Sequence, residues 1–576
     1  MKACRRLWRY IRPHWRRAAW AVATMCLVAV FNGTVVLLLK PIVDKIFIAK
    51  DFKMLRLAAV AVPLFVGLKV MLSYAQNYLM SWLGQKVAQE LREELFQHLQ
   101  DLPLDYYSTH RSGDVLNRVT GDLVVLQTAL NSVPLYLIRD SMTVLALTAS
   151  LFWLDWRFAL LSLAAAPLTG TTMIVLSRKM KLTSLQSQAV MARLYQRFQE
   201  SVQGIRLIRS FNYEEGALEK FREENASFFA PTMRYLRASA LSAPLMELCG
   251  GMVVAFVLYF GGSEVIKGHL TPGAFFAFLG AFFAAYAPIK NVARSNSDLQ
   301  RAIASAERIF QFLDEEPPAK SGTKPFSGLA RAIRLEGVSF RYPGRREEAV
   351  RDVTLEIEKG SRVALVGPSG SGKTTICELI ERLHEPTGGR VLFDDVDASS
   401  FDPRSLRERI GVVSQDGILF NDTVFENVAI GKKVVTLSQV ERACAAAGAA
   451  DFIERLPEGY QTRLGDWGHS LSPGQRQKLA IARVVLKDPE ILIFDEATAN
   501  LDPQSERDVI DAIEKLFDGR TIVTIAHKLA ALPRGARIIV LSQGQVVEEG
   551  AHETLMARPG LYRKLYDLQE SHIIKP

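Results

Sequence analysis

Cysteine is scarce in this chain, and Cys4, Cys26, Cys249, Cys377 and Cys444 stand far apart with no C-x-x-C pair among them. That pattern excludes a disulfide framework and a cysteine zinc site, and it fits a reducing compartment for the soluble part. Short-period repeats and low-complexity tracts are also missing. At the start, Lys2, Arg5, Arg6, Arg9, Arg12, Arg16 and Arg17 occur without one acidic residue among them. An apolar run over 18–39 follows and ends at Lys40-Pro41. A signal peptide has a shorter apolar core and a small-residue cleavage site, so this run reads as an uncleaved first membrane helix with its basic start held in the cytoplasm. A hydrophobic share of 49% fits a chain that is part membrane-embedded and part soluble. The net charge of +9 points to anionic phospholipid or to nucleic acid, and charge alone does not choose between them.

Five more segments meet the spanning criterion, at about 55–83, 133–154, 158–176, 237–262 and 274–292. The links after the first, third and fifth spans are short, whereas 84–132 and 177–236 are long, charged and helix-patterned. With the N-terminus inside, the short links face outward and the long ones enter the cytoplasm, although Lys45, Lys50 and Lys53 on an outer link blur the charge bias. Around 87–99 apolar residues recur at helical spacing. The polar stretch Ser112-Gly113-Asp114 through Asp122 reads either as the tip of a solvated helical hairpin or as a coupling element that docks on the second half. Asp314-Glu315-Glu316-Pro317-Pro318 is rich in breakers and charge and reads as a linker. The expected organisation is an α-helical membrane domain over 1–314, a linker over 315–331, and an α/β domain over 332–576.

That last domain carries the chemistry. Arg362-Val363-Ala364-Leu365-Val366 reads as a strand running into Gly367-Pro368-Ser369-Gly370-Ser371-Gly372-Lys373-Thr374, a complete G-x-x-x-x-G-K-T phosphate loop with a helix behind it. The glycines let backbone N–H groups converge on phosphate, and the helix N-terminus adds its positive end. Lys373 is positioned for the β and γ phosphates of ATP and Thr374 for Mg²⁺, with Thr375 completing the loop. Farther on, Ile491-Leu492-Ile493-Phe494-Asp495-Glu496 reads as a buried strand ending in two carboxylates, Asp495 on the Mg²⁺ side and Glu496 placed to polarise the attacking water.

Leu471-Ser472-Pro473-Gly474-Gln475-Arg476-Gln477 decides which ATPase this is, because it resembles the signature Leu-Ser-Gly-Gly-Gln of the ABC transporter family. By that resemblance Tyr342 stacks on adenine, Gln415 joins the nucleotide and Mg²⁺ to the membrane domain, His527 is the switch histidine, and Asn500-Leu501-Asp502 crosses the dimer interface. The resemblance further implies that ATP lies between two ATPase domains, the phosphate loop of one facing Ser472, Gly474 and Gln475 of the other. Ser472 would cap a helix whose dipole points at the γ-phosphate. Pro473 departs from the family pattern and removes one backbone N–H, although proline suits a first helical turn. Thr462-Arg463-Leu464-Gly465-Asp466 resembles the exporter-specific loop, with Asp where Glu is usual.

Membrane part first and ATPase second, with six spans and two long cytoplasmic loops, the chain resembles a type IV (B-subfamily) half-exporter. Leu38-Leu39-Lys40-Pro41-Ile42-Val43-Asp44 and Ala255-Phe256-Val257-Leu258-Tyr259 resemble the lipid A and phospholipid flippases within that group. Lys69 and Lys290 fall roughly 20–25 Å below the outer ends of their spans and Arg139 about 9 Å above an inner end. The three cations therefore share a depth at which flippases of this kind hold head-group phosphates, unless they snorkel or pair with Asp140 and Glu247. Ala287 stands where a further basic residue would be expected. The resemblance implies a homodimer in a bacterial inner membrane, flipping an anionic amphipathic lipid with ATP and Mg²⁺ and without nucleic acid. A multidrug exporter and an ATP-gated channel or regulator are the alternatives, and six genuine spans exclude a soluble ABC ATPase.

Overall fold

The structure is a computed structural model. It describes residues 2–110, 112–163, 166–315, 322–415, 417–465, 468, 470–495, 516–526, 529, 532 and 535–573. The chain forms two compact units. The first comprises Met1–Leu95 and Asn117–Phe312, the second Phe96–Leu116 and Leu313–Pro576.

Among the described residues the first unit consists of helices and the turns between them. A short helix α1 (Lys2–Ile11) and a tight turn at Arg12–His14 precede α2 (Trp15–Pro41), which has no charged residue between Arg17 and Lys40. Among the described residues four helical stretches, Arg5–Ile48, Phe52–Asp101, Gly113–Leu154 and Pro272–Leu313, are long and apolar enough to cross a membrane, and Gly250–Ile266 is a shorter apolar helix. Helix is the expected form because a backbone in hydrocarbon must satisfy its own N–H and C=O groups. The helices outrun the apolar runs that specify them. α3 (Phe52–Asp101) continues past its apolar part because an amphipathic pattern takes over, with Val87, Leu91 and Leu95 buried. Its apolar half instead turns Leu64, Leu68 and Met71 outward, as acyl-chain contact requires.

Small residues let the helices approach. Val36 packs with Leu147, Ala277 and Ala281. Just past the C-terminal end of α2, Asp44 accepts hydrogen bonds from Thr271 Oγ1 at 2.6 Å and Gly273 N at 2.7 Å. A Cβ at Gly273 would lie 2.4 Å from Lys40 O, so only glycine allows this approach.

The second unit holds two sheets. β1 (Ala332–Phe340), β2 (Val350–Glu358), β4 (Gly388–Phe393) and β5 (Val396–Asp397) form an antiparallel sheet in the order β2-β1-β4-β5. β3 (Arg362–Val366), β6 (Ile410–Val413), β7 (Ile491–Asp495), β8 (Thr521–Ile525), β9 (Arg537–Ser542) and β10 (Gln545–Gly550) form the second sheet, ordered β10-β9-β3-β8-β7-β6. All neighbours in it are parallel except β9 and β10. Its central strands are short apolar runs, as burial on both faces demands. Ile333, Leu335, Ile357, Leu365, Ile376, Phe393 and Ile493 join the sheets in one core, each contributing about 1.5–3 kcal/mol by burial.

Candidate nucleotide site

The parallel register brings strand ends together. Leu365 of β3 sits beside Ile525 of β8, Ile525 beside Asp495 of β7, and Phe494 beside Val413 of β6. Gly367 and Gln415, just past β3 and β6, and Asp495, the last residue of β7, therefore share one edge of the sheet, the carboxyl edge where open α/β sheets bind ligands. Glu496 and His527, which follow β7 and β8, lie outside the described residues, as do Asn500, Asp502 and Asp466.

From β3 the chain turns through the phosphate loop into the helix Lys373–Ile380. Gly372 caps that helix with φ 99°, and a Cβ there would meet Ala349 O at 2.5 Å, so both conformation and space require glycine. Lys373 is buried, and its Nζ donates to Gly367 O and Pro368 O, each at 2.9 Å. Among the described residues the buried Ser371 hydroxyl has no hydrogen-bond partner. A buried orphan hydroxyl in a loop that converges its N–H groups fits a phosphate oxygen.

Ser369, Gly370, Ser371, Gly372, Lys373, Thr374 and Thr375 line a cleft of about 600 Å³ with Tyr342, Pro343 and Ser108. Tyr342 follows β1, and its hydroxyl donates to Glu378 Oε2 at 2.6 Å and lies 3.0 Å from Thr375 Oγ1. Burial, and then the bond to Glu378, push this phenol up to about 12, so it stays a neutral donor. The ring is thereby held at the cleft rim, where a base can stack on it.

Ser472, Gly474 and Gln475 are not among the residues lining that cleft. They open the helix Pro473–Lys487. Ser472 Oγ accepts from Gln475 N at 3.3 Å, and Gln475 Oε1 accepts from Ser472 N at 2.9 Å, a reciprocal capping box. Pro473 occupies the first helical position, whose N–H has no helical acceptor in any case.

Sequence reasoning missed the groups behind Tyr342. His384 is buried against Phe340 and Tyr342, with Nε2 3.7 Å from Glu378 Oε2. Its Nδ1 is 2.8 Å from Asp105 Oδ1, a close polar contact off the line of a directed hydrogen bond. Asp105 belongs to α4 (Leu104–Thr109), which precedes the polar stretch 112–122 read above as hairpin tip or coupling element. Compactness divides that stretch, Ser112 to Leu116 falling with the second unit and Asn117 onward with the first. No local spacing marks Asp105 or His384.

In the membrane unit Asp140 is buried, accepting from Arg139 Nε at 2.7 Å and from Asn291 Nδ2 at 2.8 Å. This brings the neighbourhoods of Arg139 and Lys290 to one level, with the Arg139 charge partly met by Asp140. Lys290 is exposed and Lys69 half-buried.

Comparison with known proteins agrees with this division. The family model described as ABC transporter transmembrane region matches residues 21–287, and the one described as ABC transporter matches 350–499. The chain is 37% identical over 571 residues to the ATP-dependent lipid A-core flippase of Syntrophus aciditrophicus, covering 99% of this chain and 95% of that one. With the flippase of the same name from Desulfotalea psychrophila it shares 36% over 570 residues, covering 98% and 99%. Among solved structures it is similar to a bacterial Atm1-family ABC exporter with ATP bound, at a TM-score of 0.80 and 26% identity, covering 97% of this chain and 98% of that one. The chain belongs to the ABC transporter family, as an exporter that joins a membrane-spanning region to an ATP-hydrolysing domain.

Proposed function

We propose that two copies of this chain form an ATP-driven flippase for an anionic amphipathic lipid of the lipid A or phospholipid class, in a bacterial inner membrane. The observation that carries the dimer is the composition of the cleft. It gathers Tyr342 and the phosphate loop but not Ser472, Gly474 or Gln475 of the same chain, so a second copy would supply the signature helix N-terminus. The lipid class is supported by full-length relatives named lipid A-core flippases.

Lys373 and the loop N–H groups bind and orient the phosphates, Tyr342 the adenine, and Ser472 keeps the positive helix end directed at the γ-phosphate. Thr374, Asp495 and Gln415 offer hydroxyl, carboxylate and amide oxygens, a donor set suited to a hard cation. Mg²⁺ bound there supplies charge neutralisation for phosphoryl transfer. Glu496 orients and activates the attacking water, His527 and Gln415 support it, and Asp502 meets the opposing copy. ATP bridges the copies only in the closed state, and that difference in affinity is what moves the membrane helices. Lys69, Arg139 and Lys290 attract the phosphorylated head group, Arg139 the least because Asp140 already pairs with it.

Turnover of ATP in nanodiscs tests the cargo. Lipopolysaccharide is expected to stimulate hydrolysis, and Lys290→Ala to weaken that stimulation several-fold while sparing basal turnover. Stimulation by hydrophobic cations with none by lipopolysaccharide would replace the lipid reading with a multidrug one.

A further inference from the structure

The first carboxylate of the chain is Asp44, so α1, the turn Arg12–His14 and the first turns of α2 form a cationic stretch with no acidic residue within it. One face is committed to the helices beside it. Ala3 is buried, the Arg6 guanidinium lies 4.4 Å above the Phe310 ring, the Tyr10 hydroxyl donates to Glu94 Oε2 at 2.6 Å, and His14 Nε2 is 3.1 Å from Glu90 Oε1. Positions 3, 6, 10 and 14 advance by three or four residues, so they fix the helical rotation.

That rotation leaves Arg5, Trp8, Arg9, Arg12, Trp15 and Arg16 exposed. The four arginines step by four, three and four residues along a continuous row, with the two indoles on its flank. Pro13 sits in the tight turn between the helices, where its missing N–H is least costly, and the row continues across it. The uncharged run of α2 begins directly afterwards, which sets this face at the boundary between hydrocarbon and head groups. Guanidinium forks match phosphate oxygens two at a time, and indoles settle at head-group depth. Nucleic acid offers phosphate too, but not beside an apolar span and exposed indoles.

We propose that this face binds the phosphate head groups of anionic glycerophospholipids in the adjoining leaflet, as resident lipids distinct from the cargo. The arginines take the phosphates, the tryptophans take the glycerol and upper acyl region, and Tyr10, His14 and Arg6 hold the face outward. The site needs neither ATP nor a transported molecule, so it stands or falls independently of the flippase reading.

The test uses the full-length transporter in phosphatidylcholine nanodiscs doped with brominated phosphatidylglycerol or, at equal mole fraction, brominated phosphatidylcholine. Tryptophan quenching is measured, and subtracting the Trp8→Phe/Trp15→Phe variant isolates the two indoles. The expected result is quenching at least about fivefold stronger per mole by the anionic lipid, the equivalent of one basic contact at a membrane surface. Changing Arg5, Arg9, Arg12 and Arg16 together to Gln should bring the ratio near one, whereas changing them to Lys should keep most of it. Raising salt tenfold on the unaltered protein should also shrink the ratio, a readout that needs no variant to fold. Equal quenching by the two lipids, or a preference untouched by the Gln changes and by salt, would overturn the proposal.

Discussion

At the C-terminal cap of the helix Lys373–Ile380, Glu381 is half-buried, and its carboxyl is pushed up to about 7, by burial first and then by Glu378 and Asp495 among its charged neighbours. A carboxyl whose pKa is raised on folding holds its proton more firmly in the native state. The stability it lends is complete below its unfolded value near 4.5 and is lost as pH rises through about 7. Glu381→Gln should therefore flatten the fall in unfolding temperature across that window, at most about 3 kcal/mol over the rise. An unchanged pH profile would remove Glu381 as its source. Legibility at this scale follows chain distance. Gly372, Lys373 and Ser472 act through neighbours a few positions away, so their types and spacing announce them. Glu378 and His384 serve Tyr342, and Asp105 serves His384, across separations that no local pattern records. The same holds for Asp140, whose pairing with Arg139 and Asn291 tempers a cation that depth alone had marked for head groups.

Among elements, the long helices were legible by their apolar runs but not by their ends. α3 continues from Phe52 to Asp101 because amphipathic spacing succeeds apolar composition without a breaker. What ties such extensions together is equally invisible in one dimension. Asp122, buried within the helical stretch Gly113–Leu154, accepts from Ser305 Oγ at 2.9 Å and from Arg308, whose Nε is 2.8 Å away and whose terminal nitrogen donates as well. Asp122→Ala leaves Ser305 buried without its acceptor. Because Arg308 stays half exposed, the cost should be about 1–3 kcal/mol rather than the value for a fully buried pair. Thermal unfolding in detergent reads this directly. Ser305→Ala should cost less, and equal effects of the two changes would show that the ion pair adds nothing.

For the molecule as a whole, each chain carries a cleft with the phosphate loop and, elsewhere, a capped signature helix, and the proposed activity requires that these meet between copies. A dimer engineered to hold two distinguishable copies separates that arrangement from independent protomers, using Lys373→Ala against the phosphates and Ser472→Arg at the signature helix. With one change on each copy, a shared site concentrates both defects in one cleft and leaves the other intact, so about half of the ATPase rate should remain. With both changes on one copy and none on its partner, each shared cleft is broken and hydrolysis should fall to background. The opposite ranking, activity kept when both changes sit on one copy and lost when they are divided, would contradict the account.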